Sequence, residues 1–432
     1  MIFNQLLRAN FQLRLYLPKF YSLQMSKFDS KEFNALLTPA VRRIQTVFEE
    51  NKHEIRLCGG AVRDLLQGKG PKDVDLATTA LPEEMLDLCL KHDWRTINTN
   101  GLSHGTVTIR LDDENYEITT LRIDKVTDGR RAEVEFTKDW QLDAERRDLT
   151  FNSLFLGLDG TLYDYFSGAE DLKLKRVRFV GDAQKRIQED YLRILRYFRF
   201  FGRIDPPSDS HDHESLEVIR LNAHGLGGIS GERIWSELKL ILVGNQAPEL
   251  VEKMHEVGLF PYFEVPDRKP NPEFRTVYDK SRKFKPLPIT LLSSLFETET
   301  EVKKFEARIK FSRLERLIAL FIVQHKTAPD QKKFDLKYFQ DLLVDNKDFP
   351  SKEHPLFEYL KYTGNEELIM NLESWDVPRF PISGTDLRQF NVKPGKDVGK
   401  VLKLLREKWK NSNYLNSKDE LLQNVPSLIS NN

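Results

Sequence analysis

The sequence predicts an α+β fold in which a small mixed sheet with helices comes first and an all-helical part follows. Residues 106–111 alternate between polar and apolar side chains, and residues 116–121 supply a returning strand after a polar turn, which is typical of a half-buried β-hairpin. From about Leu172 onward, apolar residues recur instead with helical spacing. Strand signals are therefore confined to the first part of the chain.

Proline, glycine and acidic clusters divide that first part into short elements. Thr38 followed by proline favours a helix start. In chain order we expect a helix over 39–51, a strand over 54–58, a helix to about residue 67, a strand over 73–76, a helix over 82–92, and the hairpin strands over 106–111 and 116–121 with a turn at 112–115. Residues 122–143 are polar and are expected to form a mobile loop, and the proline-rich residues 267–282 a connection between helical domains.

Composition excludes several classes of protein. The 432-residue chain has 66 Lys and Arg against 66 Asp and Glu, so a globally basic nucleic-acid coat protein is excluded, and any RNA contact must come from a local patch. No apolar run approaches the ~18 residues of a membrane-spanning helix, so no membrane partner is expected. Cys58 and Cys89 are too few for a disulfide framework, which is typical of a reducing compartment. The sequence sets no oligomeric state.

The first 28 residues differ from the rest. They contain four basic residues, no acid and many apolar residues, a pattern typical of a mitochondrial targeting segment. We therefore expect residues 1–28 to direct the chain to the mitochondrion; the alternative is an N-terminal tail or an extra helix. Met25 lies near the end of this segment, and initiation there would yield an untargeted form in the cytoplasm or nucleus.

A strand, two glycines and an arginine-bearing helix form the first candidate site. Gly59 and Gly60 let backbone amides approach an anion closely, and a helix start offers unpaired N–H groups. Arg63 falls in the first helical turn, where its guanidinium is expected to reach a phosphate. No Gly-Lys-Ser/Thr follows, so this is not a P-loop.

Asp73 and Asp75 are separated by one residue on a predicted strand, so both carboxylates fall on one face. Two carboxylates this close repel unless a cation lies between them, and Mg²⁺ is bound by carboxylates together with substrate phosphates. The pair therefore indicates a Mg²⁺ site for phosphoryl transfer, with Glu117 on the hairpin as a third carboxylate. The alternatives are a solvated strand edge for the aspartates and an outward-facing strand residue for Glu117.

These residues resemble the first motif of the polymerase-β-like nucleotidyltransferases, and most closely the class II CCA-adding enzymes, whose motifs bacterial poly(A) polymerases share. The resemblance is specific over about residues 35–245 and weak beyond them. It implies a polymerase-β-like nucleotidyltransferase head over residues 29–171, a helical neck over 172–265, and a helical, tRNA-binding body and tail over 266–432, of the eukaryotic mitochondrial type. Basic runs at 173–178, 280–285 and 393–410 are candidate RNA contacts or solvated helix faces.

Two further stretches match motifs of that family. Within residues 146–154, the resemblance assigns contacts with the nucleotide ribose to Arg147 and Asp148; alone, such a stretch would be a surface charge cluster. Residues 229–238 resemble a motif that braces the neck, with Ser230 as a helix cap.

The strongest match is the run from residue 189 to residue 200. Asp190, Arg193, Arg196 and Arg199 step by three, so on one helix they would form a ridge. An aspartate only accepts hydrogen bonds and an arginine only donates them. Cytosine and adenine both offer an amino donor beside a ring-nitrogen acceptor, whereas uracil and guanine offer the reverse and would leave groups unpaired at ~1–3 kcal/mol each.

In the family this helix selects CTP and ATP without a nucleic-acid template, and the resemblance assigns base pairing to Asp190 and Arg193 and nucleotide or phosphate contacts to Arg196 and Arg199. A solvated basic stripe is the alternative. The family also has a flexible loop at the position of residues 122–143 that is linked to the switch from adding C to adding A.

Three functions follow from the sequence. The first is addition of C, C and A to the 3′ end of tRNA from CTP and ATP, with release of pyrophosphate. The second is a poly(A) polymerase of the same family. The third, an inactive RNA-binding scaffold, would lack one of Asp73, Asp75, Asp190 or Arg193, and all four are present.

Overall fold

The structure is a computed structural model that describes residues 23–98, 101–125, 134–268, 272–326, 335–346, 350 and 353–430. The described residues form two compact units. The first runs to Pro270 and includes Ala307–Lys310, and the second comprises Asn271–Glu306 and Phe311–Asn432. Every predicted site residue belongs to the first unit. The predicted boundaries between head, neck and body stay predictions.

An eight-stranded mixed sheet organises the first unit, with the strand order β1-β10-β9-β2-β3-β6-β5-β4. Its strands are β1 (Gln24–Lys27), β2 (Ile55–Cys58), β3 (Asp75–Thr78), β4 (Arg95–Asn98), β5 (Thr106–Leu111), β6 (Glu114–Thr120), β9 (Phe155–Gly157) and β10 (Thr161–Asp164), and a separate ribbon pairs β7 (Arg122–Asp124) with β8 (Val134–Phe136). β3 and β6 are parallel, whereas the other pairs of the large sheet are antiparallel. This confirms the predicted α+β class.

The hairpin of β5 and β6 follows its sequence pattern closely. Burial alternates along β5, and residues Asp112 and Asp113 make the turn with φ values of 47° and 67°. Positive φ at both central residues is the geometry of a two-residue turn that matches the twist of its strands. The hairpin sets the register of β6, which in turn pairs Glu117 with Asp75 across to β3.

Helices cover this sheet and then continue alone. In the first unit they are α1 (Lys31–Leu36), α2 (Pro39–Glu50), α3 (Gly60–Leu66), α4 (Pro82–Lys91), α5 (Trp140–Glu145), α6 (Gly168–Lys173), α7 (Ala183–Glu189), α8 (Arg193–Ile204), α9 (His213–Asn222), α10 (Gly231–Leu242) and α11 (Ala247–Glu256). Thr38 caps α2, since its Oγ1 accepts from the N–H of Val41 at 3.3 Å. The apolar faces of α2, α3 and α4 bury Ile44, Val62 and Met85 against the sheet.

The segment 122–143 is not the loop that the sequence predicts. Its described residues form β7, β8 and most of α5, while residues 126–133 lie outside the described part of the chain. The carboxylate of Asp143 anchors this segment, because its Oδ1 accepts from the backbone N–H of Arg122 at 3.1 Å and from the side chain of Arg146 at 2.8 Å. The contact with Arg122 spans 21 positions and leaves no local pattern in the sequence, whereas Arg146 is only three residues from Asp143.

The predicted targeting segment overlaps the folded chain at its end. Residues 1–22 lie outside the described residues, but Gln24–Lys27 form the edge strand β1 beside β10. The Nζ of Lys27 donates to Oδ2 of Asp159 at 2.9 Å and to Oγ1 of Thr161 at 2.8 Å. Residues 24–27 therefore pair with the sheet of the first unit, and the end of the targeting segment at residue 28 stays a prediction.

The second unit is helical in its described residues. Its helices are α12 (Pro272–Ser281), α13 (Pro288–Leu292), α14 (Glu299–Ile309, whose last residues belong to the first unit), α15 (Arg313–Lys326), α16 (Leu336–Asp345), α17 (Pro355–Thr363), α18 (Glu366–Glu373), α19 (Lys396–Asn411), α20 (Lys418–Leu422) and α21 (Val425–Ser430). The expected connection over 267–282 is thus mostly helix α12, which buries Phe274 and Val277. None of the described helices is long and apolar enough to cross a membrane.

The C-terminal basic run forms α19, as its spacing predicts. Val401, Leu405 and Trp409 face inward. Lys410, the last lysine of this run, is only 6% exposed, and its Nζ lies 2.8 Å from carboxylate oxygens of both Asp345 and Glu407. The cationic face of this helix is therefore smaller than its sequence indicates.

Candidate active site

A cleft of about 680 Å³ in the first unit collects the predicted site residues. Except for Asp73, all of them line it: Gly59, Gly60, Arg63, Asp75, Glu117, Arg147, Asp148, Asp190, Arg193, Arg196 and Arg199. The sheet and α3 contribute one side, and the break between α7 and α8, together with α8 itself, contributes the other. The sequence signals at the glycine turn, the aspartate strand and the arginine run therefore meet in one place.

Asp75 and Glu117 are register partners on the adjacent parallel strands β3 and β6, so their side chains lie on the same face. Asp75 is half-buried and Glu117 exposed. Burial raises the pKa of Asp75, and the negative charges of Glu117 and Asp73 raise it further, against the opposing effect of Arg147. The carboxylates are thus close enough to repel one another.

Asp73 does not lie on the strand, contrary to the prediction. β3 begins at Asp75 because the pairing of Leu57 with Leu76 places Asp75 opposite Cys58, the last residue of β2. After Cys58 the backbone turns away at Gly59, so β2 offers Asp73 no residue to pair with. Asp73 therefore occupies an exposed bend before β3. It remains near enough to act on the pKa of Asp75.

The glycine turn brings backbone and guanidinium groups close together. Gly59 has φ 59°, and a Cβ there would lie 3.1 Å from Nη1 of Arg147, so a larger residue would be strained and crowded. Arg63 is 3% exposed, and its Nη1 donates to Oδ1 of Asn152 at 2.7 Å while its Nε donates to Asp64 at 3.0 Å. Its guanidinium lines the cleft already oriented by these partners.

Arg147 and Asp148 are adjacent in sequence, but each forms a salt bridge with a different residue. Arg147 donates through Nε and Nη2 to Oδ2 of Asp143 at 3.1 and 3.0 Å. Asp148 is 5% exposed and accepts from Nε of Arg196 at 2.6 Å. Burial raises the pKa of Asp148, but Arg196 and further hydrogen bonds outweigh it and hold the pKa below its usual range.

Asp190 is not on the helix that carries the three arginines. It has extended backbone, φ −153° and ψ 103°, between the end of α7 and the start of α8. Its Oδ1 accepts from the backbone N–H of Leu192 at 3.1 Å, and its Oδ2 accepts from Nη2 of Arg233 at 2.7 Å. The aspartate side chain competes for local backbone N–H groups, which explains the break.

Arg193 begins α8 and is held firmly. Its Nη1 donates to the carbonyl of Arg186 at 3.0 Å and to Oε2 of Glu189 at 2.9 Å, and its Nη2 donates to the carbonyl of Arg146 at 2.7 Å. A guanidinium has five N–H donors, so Nε and one N–H of Nη2 are left for another partner. Among the described residues, the contacts of Asp190 and Arg193 leave acceptor and donor capacity in the cleft unused.

Arg196 and Arg199 follow on the same helix and share a buried carboxylate. Nη1 of Arg199 donates to Oε1 of Glu237 at 3.2 Å, and Nη1 of Arg196 lies 3.9 Å from the same oxygen. Glu237, on α10, is 5% exposed, and burial raises its pKa despite the two arginines. The predicted ridge of arginines is confirmed for Arg193, Arg196 and Arg199, which all lie on α8.

Sequence analysis missed several residues that complete this site. Asp143, Asn152, Arg203, Arg233 and Glu237 either line the cleft or hold a residue that does. A local signal existed for three of them. Arg233 and Glu237 are four residues apart on a predicted helix, so opposite charges occur on one face of the brace motif. Asp143 lies three and four residues before Arg146 and Arg147, with which it pairs. Asn152 and Arg203 act through tertiary contacts with Arg63 and Asp64.

Two family models match the first unit. The Poly A polymerase head domain matches residues 55–178, and the family described as probable RNA and SrmB- binding site of polymerase A matches residues 212–268. The first match covers every strand of the large sheet except β1, together with the carboxylates, and the second covers the brace helix α10. Fold and cleft together define a nucleotidyltransferase with a polymerase-type head.

Curated relatives narrow this class to one family. The chain is 50% identical over 417 residues to CCA tRNA nucleotidyltransferase 1, mitochondrial, of Homo sapiens, covering 95% of each chain. It is 48% identical over 423 residues to the Danio rerio protein of the same name, covering 97% of this chain and 98% of that protein. The chain belongs to the CCA tRNA nucleotidyltransferase family.

Solved structures share the fold. The Bacillus stearothermophilus CCA-adding enzyme in complex with CTP matches with a TM-score of 0.73 and 23% identity over 94% of this chain and all of that one. The Thermotoga maritima CCA-adding enzyme complexed with tRNA matches with a TM-score of 0.66 and 19% identity over 94% of this chain and 99% of that one. The polymerase-β-like head and helical remainder expected from the sequence are thus the architecture of this chain.

Proposed function

We propose that this enzyme adds C, C and A to the 3′ end of tRNA, using CTP and ATP and no nucleic-acid template. The observation that carries this proposal is one cleft that joins Asp75 and Glu117 to Asp190 and Arg193. Family membership supports the reaction, since relatives that match nearly the whole chain are named CCA tRNA nucleotidyltransferases.

Base selection rests on hydrogen-bond capacity. Each carboxylate oxygen of Asp190 has one partner within the described part of the chain and so retains room for a second donor, such as the amino group of cytosine or adenine. The free N–H groups of Arg193 would donate to the adjacent ring nitrogen. Uracil and guanine would place a carbonyl against a carboxylate, which costs ~1–3 kcal/mol for each unpaired group.

The transfer step joins two substrates in the cleft. The 3′-hydroxyl oxygen of the tRNA forms a bond with the α-phosphorus of the nucleotide, the bond from that phosphorus to the β-bridging oxygen breaks, and pyrophosphate leaves. We assign the triphosphate to the amides of Gly59 and Gly60 and to the guanidinium groups of Arg63, Arg196 and Arg199. Because these arginines are pre-oriented by buried partners, little reorganisation accompanies binding.

Arg147 and Asp148 are assigned to the ribose. Asp148 holds Arg196 through one carboxylate oxygen and accepts from Asn152 and the Leu149 N–H through the other. A ribose hydroxyl that donated to this carboxylate would therefore be coupled to the arginines of the triphosphate site.

The carboxylates fit a divalent cation, and we propose Mg²⁺. The described residues contain no group of three or more His, Cys, Asp or Glu side chains placed to hold a metal ion, but Mg²⁺ typically uses one or two carboxylates together with substrate phosphates. Burial raises the pKa of Asp75, and the negative charges of Glu117 and Asp73 raise it further, so a cation would relieve that repulsion. Asp73 and Asp75 would hold the ion, which when bound lowers the pKa of the attacking hydroxyl and neutralises the triphosphate.

Incubation with a tRNA transcript that lacks its CCA end tests the reaction. With CTP alone we expect two additions, and with CTP and ATP together a complete CCA end. Long adenosine tails from ATP alone would instead favour a poly(A) polymerase, and no incorporation would favour a scaffold. Asp75→Asn should abolish incorporation while tRNA binding persists, whereas Asp87→Asn, a change at an exposed carboxylate on α4, should leave both intact.

We also propose a mitochondrial destination. The basic, acid-free N-terminus and the word mitochondrial in the names of relatives support it. Initiation at Met25 would retain most of β1 and supply a form for the cytoplasm or nucleus. Localisation of full-length and Met25-initiated forms, each fused to a C-terminal reporter, distinguishes the two: only the full-length form should enter mitochondria.

A further inference from the structure

The base-selecting carboxylate lacks the support that a helix would give it. Asp190 occupies an extended residue between α7 and α8, so its side chain is not packed into a helical ridge. Its side chain is 30% exposed. Reading a base requires a carboxylate whose oxygens stay in one place, so something else must orient it.

Arg233 supplies that orientation from another helix. Its Nη2 donates to Oδ2 of Asp190 at 2.7 Å across 43 positions of sequence, while the Leu192 N–H fixes Oδ1. Arg233 lies in the first turn of α10, whose start is capped by Ser230. It also lines the cleft.

The same helix, α10, also offers a negative charge to the arginines of α8. One turn beyond Arg233, Glu237 pairs with Arg199 and approaches Arg196. α10 thus presents a cation to the base-reading carboxylate and a carboxylate to the arginines that follow it. The first turn of α10 therefore contacts the base-reading carboxylate through Arg233, and the next turn contacts the arginines of α8 through Glu237.

We infer that Arg233 is a positioning residue for base selection, a role that rests on the function proposed above. It keeps Asp190 turned so that both oxygens face the base as acceptors. Without it the carboxylate can rotate away from the base, and a displaced carboxylate no longer repels the carbonyl of uracil or guanine. Loss of Arg233 therefore weakens the rejection of UTP and GTP.

The test is the ratio of kcat/KM for CTP to that for UTP on a tRNA lacking its CCA end. For Arg233→Ala we expect this ratio to fall about tenfold, in line with loss of one charge-assisted hydrogen bond, with KM for tRNA unchanged. Arg233→Lys retains a cation and should recover most of the ratio. Because the Arg233 side chain is 48% exposed, the alanine variant should fold, which its melting temperature checks.

Two further variants make the result decisive. Lys239→Ala removes a cation from the same helix, away from Asp190, and should keep the wild-type ratio. Asp190→Asn should lower the ratio at least as much as Arg233→Ala. A wild-type ratio in Arg233→Ala beside a lowered ratio in Asp190→Asn overturns this inference alone, as does an equal loss for CTP and UTP. An unchanged ratio in Asp190→Asn overturns the assignment of base reading in the proposed function as well.

Discussion

At the scale of single residues, the cleft is a set of charges that are each held by another charge. Asp143 holds Arg147, Asp148 holds Arg196, and Asp190 is held by Arg233. Pairing of this kind offsets part of the desolvation penalty that an isolated buried charge would carry. The carboxylate of Asp75 differs from these paired groups, because the charges that act on it include the carboxylates of Glu117 and Asp73.

Asp75→Asn should therefore separate stability from activity. Burial, Glu117 and Asp73 all raise the pKa of Asp75, so its charged form is disfavoured in the folded protein. A neutral amide of the same size removes that repulsion, and we expect a melting temperature equal to or above that of the wild type together with lost incorporation. A functional site that costs stability behaves in this way. A lower melting temperature in Asp75→Asn would contradict the account.

Arg196→Ala should have the opposite effect, since it leaves a buried carboxylate unpaired. We expect a loss of about 1–3 kcal/mol in the free energy of unfolding at pH 7, and less than the summed losses when Asp148→Asn is added. Because the folded-state pKa of Asp148 is lowered, this stabilisation is present above the unfolded pKa of about 3.9 and is lost as the pH falls through the folded value. Urea unfolding of the single and double variants measures the coupling, and strict additivity would refute it.

At the scale of elements, the sequence predicted what local patterns determine. β5, α2 and α4 begin where predicted and end within a residue of the predicted end, because alternation, caps and proline are readable over a few residues. Asp73 and Asp190 were assigned to a strand and a helix that begin only after them. The position of Asp73 depends on a missing ladder partner, and that of Asp190 depends on a side-chain hydrogen bond. Neither feature produces a periodic pattern of residues that could be recognised in the sequence.

The short 3-10 helix over Ala223–Gly228 gives an element-scale prediction. A Cβ at Gly225 would lie 1.9 Å from the ring of Tyr191, the residue next to Asp190, whereas a Cβ at Gly228 would have no atom within 4 Å. Gly225→Ala should cost about 1–3 kcal/mol by overpacking and also reduce kcat/KM for CTP, because Tyr191 must move. Gly228→Ala is the matched control and should preserve both. Equal behaviour of the two variants in thermal unfolding and incorporation would refute the contact.

At the scale of the whole molecule, each compact unit contains a histidine held neutral by its surroundings. In the first unit His211 stacks on Phe201 at 3.7 Å, and burial with Lys253 nearby lowers its pKa to about 4. In the second unit His354 caps α17, and burial together with His325 lowers its pKa to about 4. Both units therefore carry an acid-sensitive histidine that does not line the cleft.

Mild acid should then destabilise both units through these histidines. A histidine with an unfolded pKa of about 6.5 takes up its proton in the unfolded chain first. Its contribution is thus present above pH 6.5 and is lost as the pH falls toward the folded value. Allowing for partial exposure, we expect about 1 kcal/mol per histidine between pH 7 and pH 5. His211→Gln and His354→Asn, each measured by urea unfolding at both pH values, should reduce that loss, and the double variant should reduce it most. If all four proteins lose the same free energy over this range, the acid sensitivity belongs to other groups.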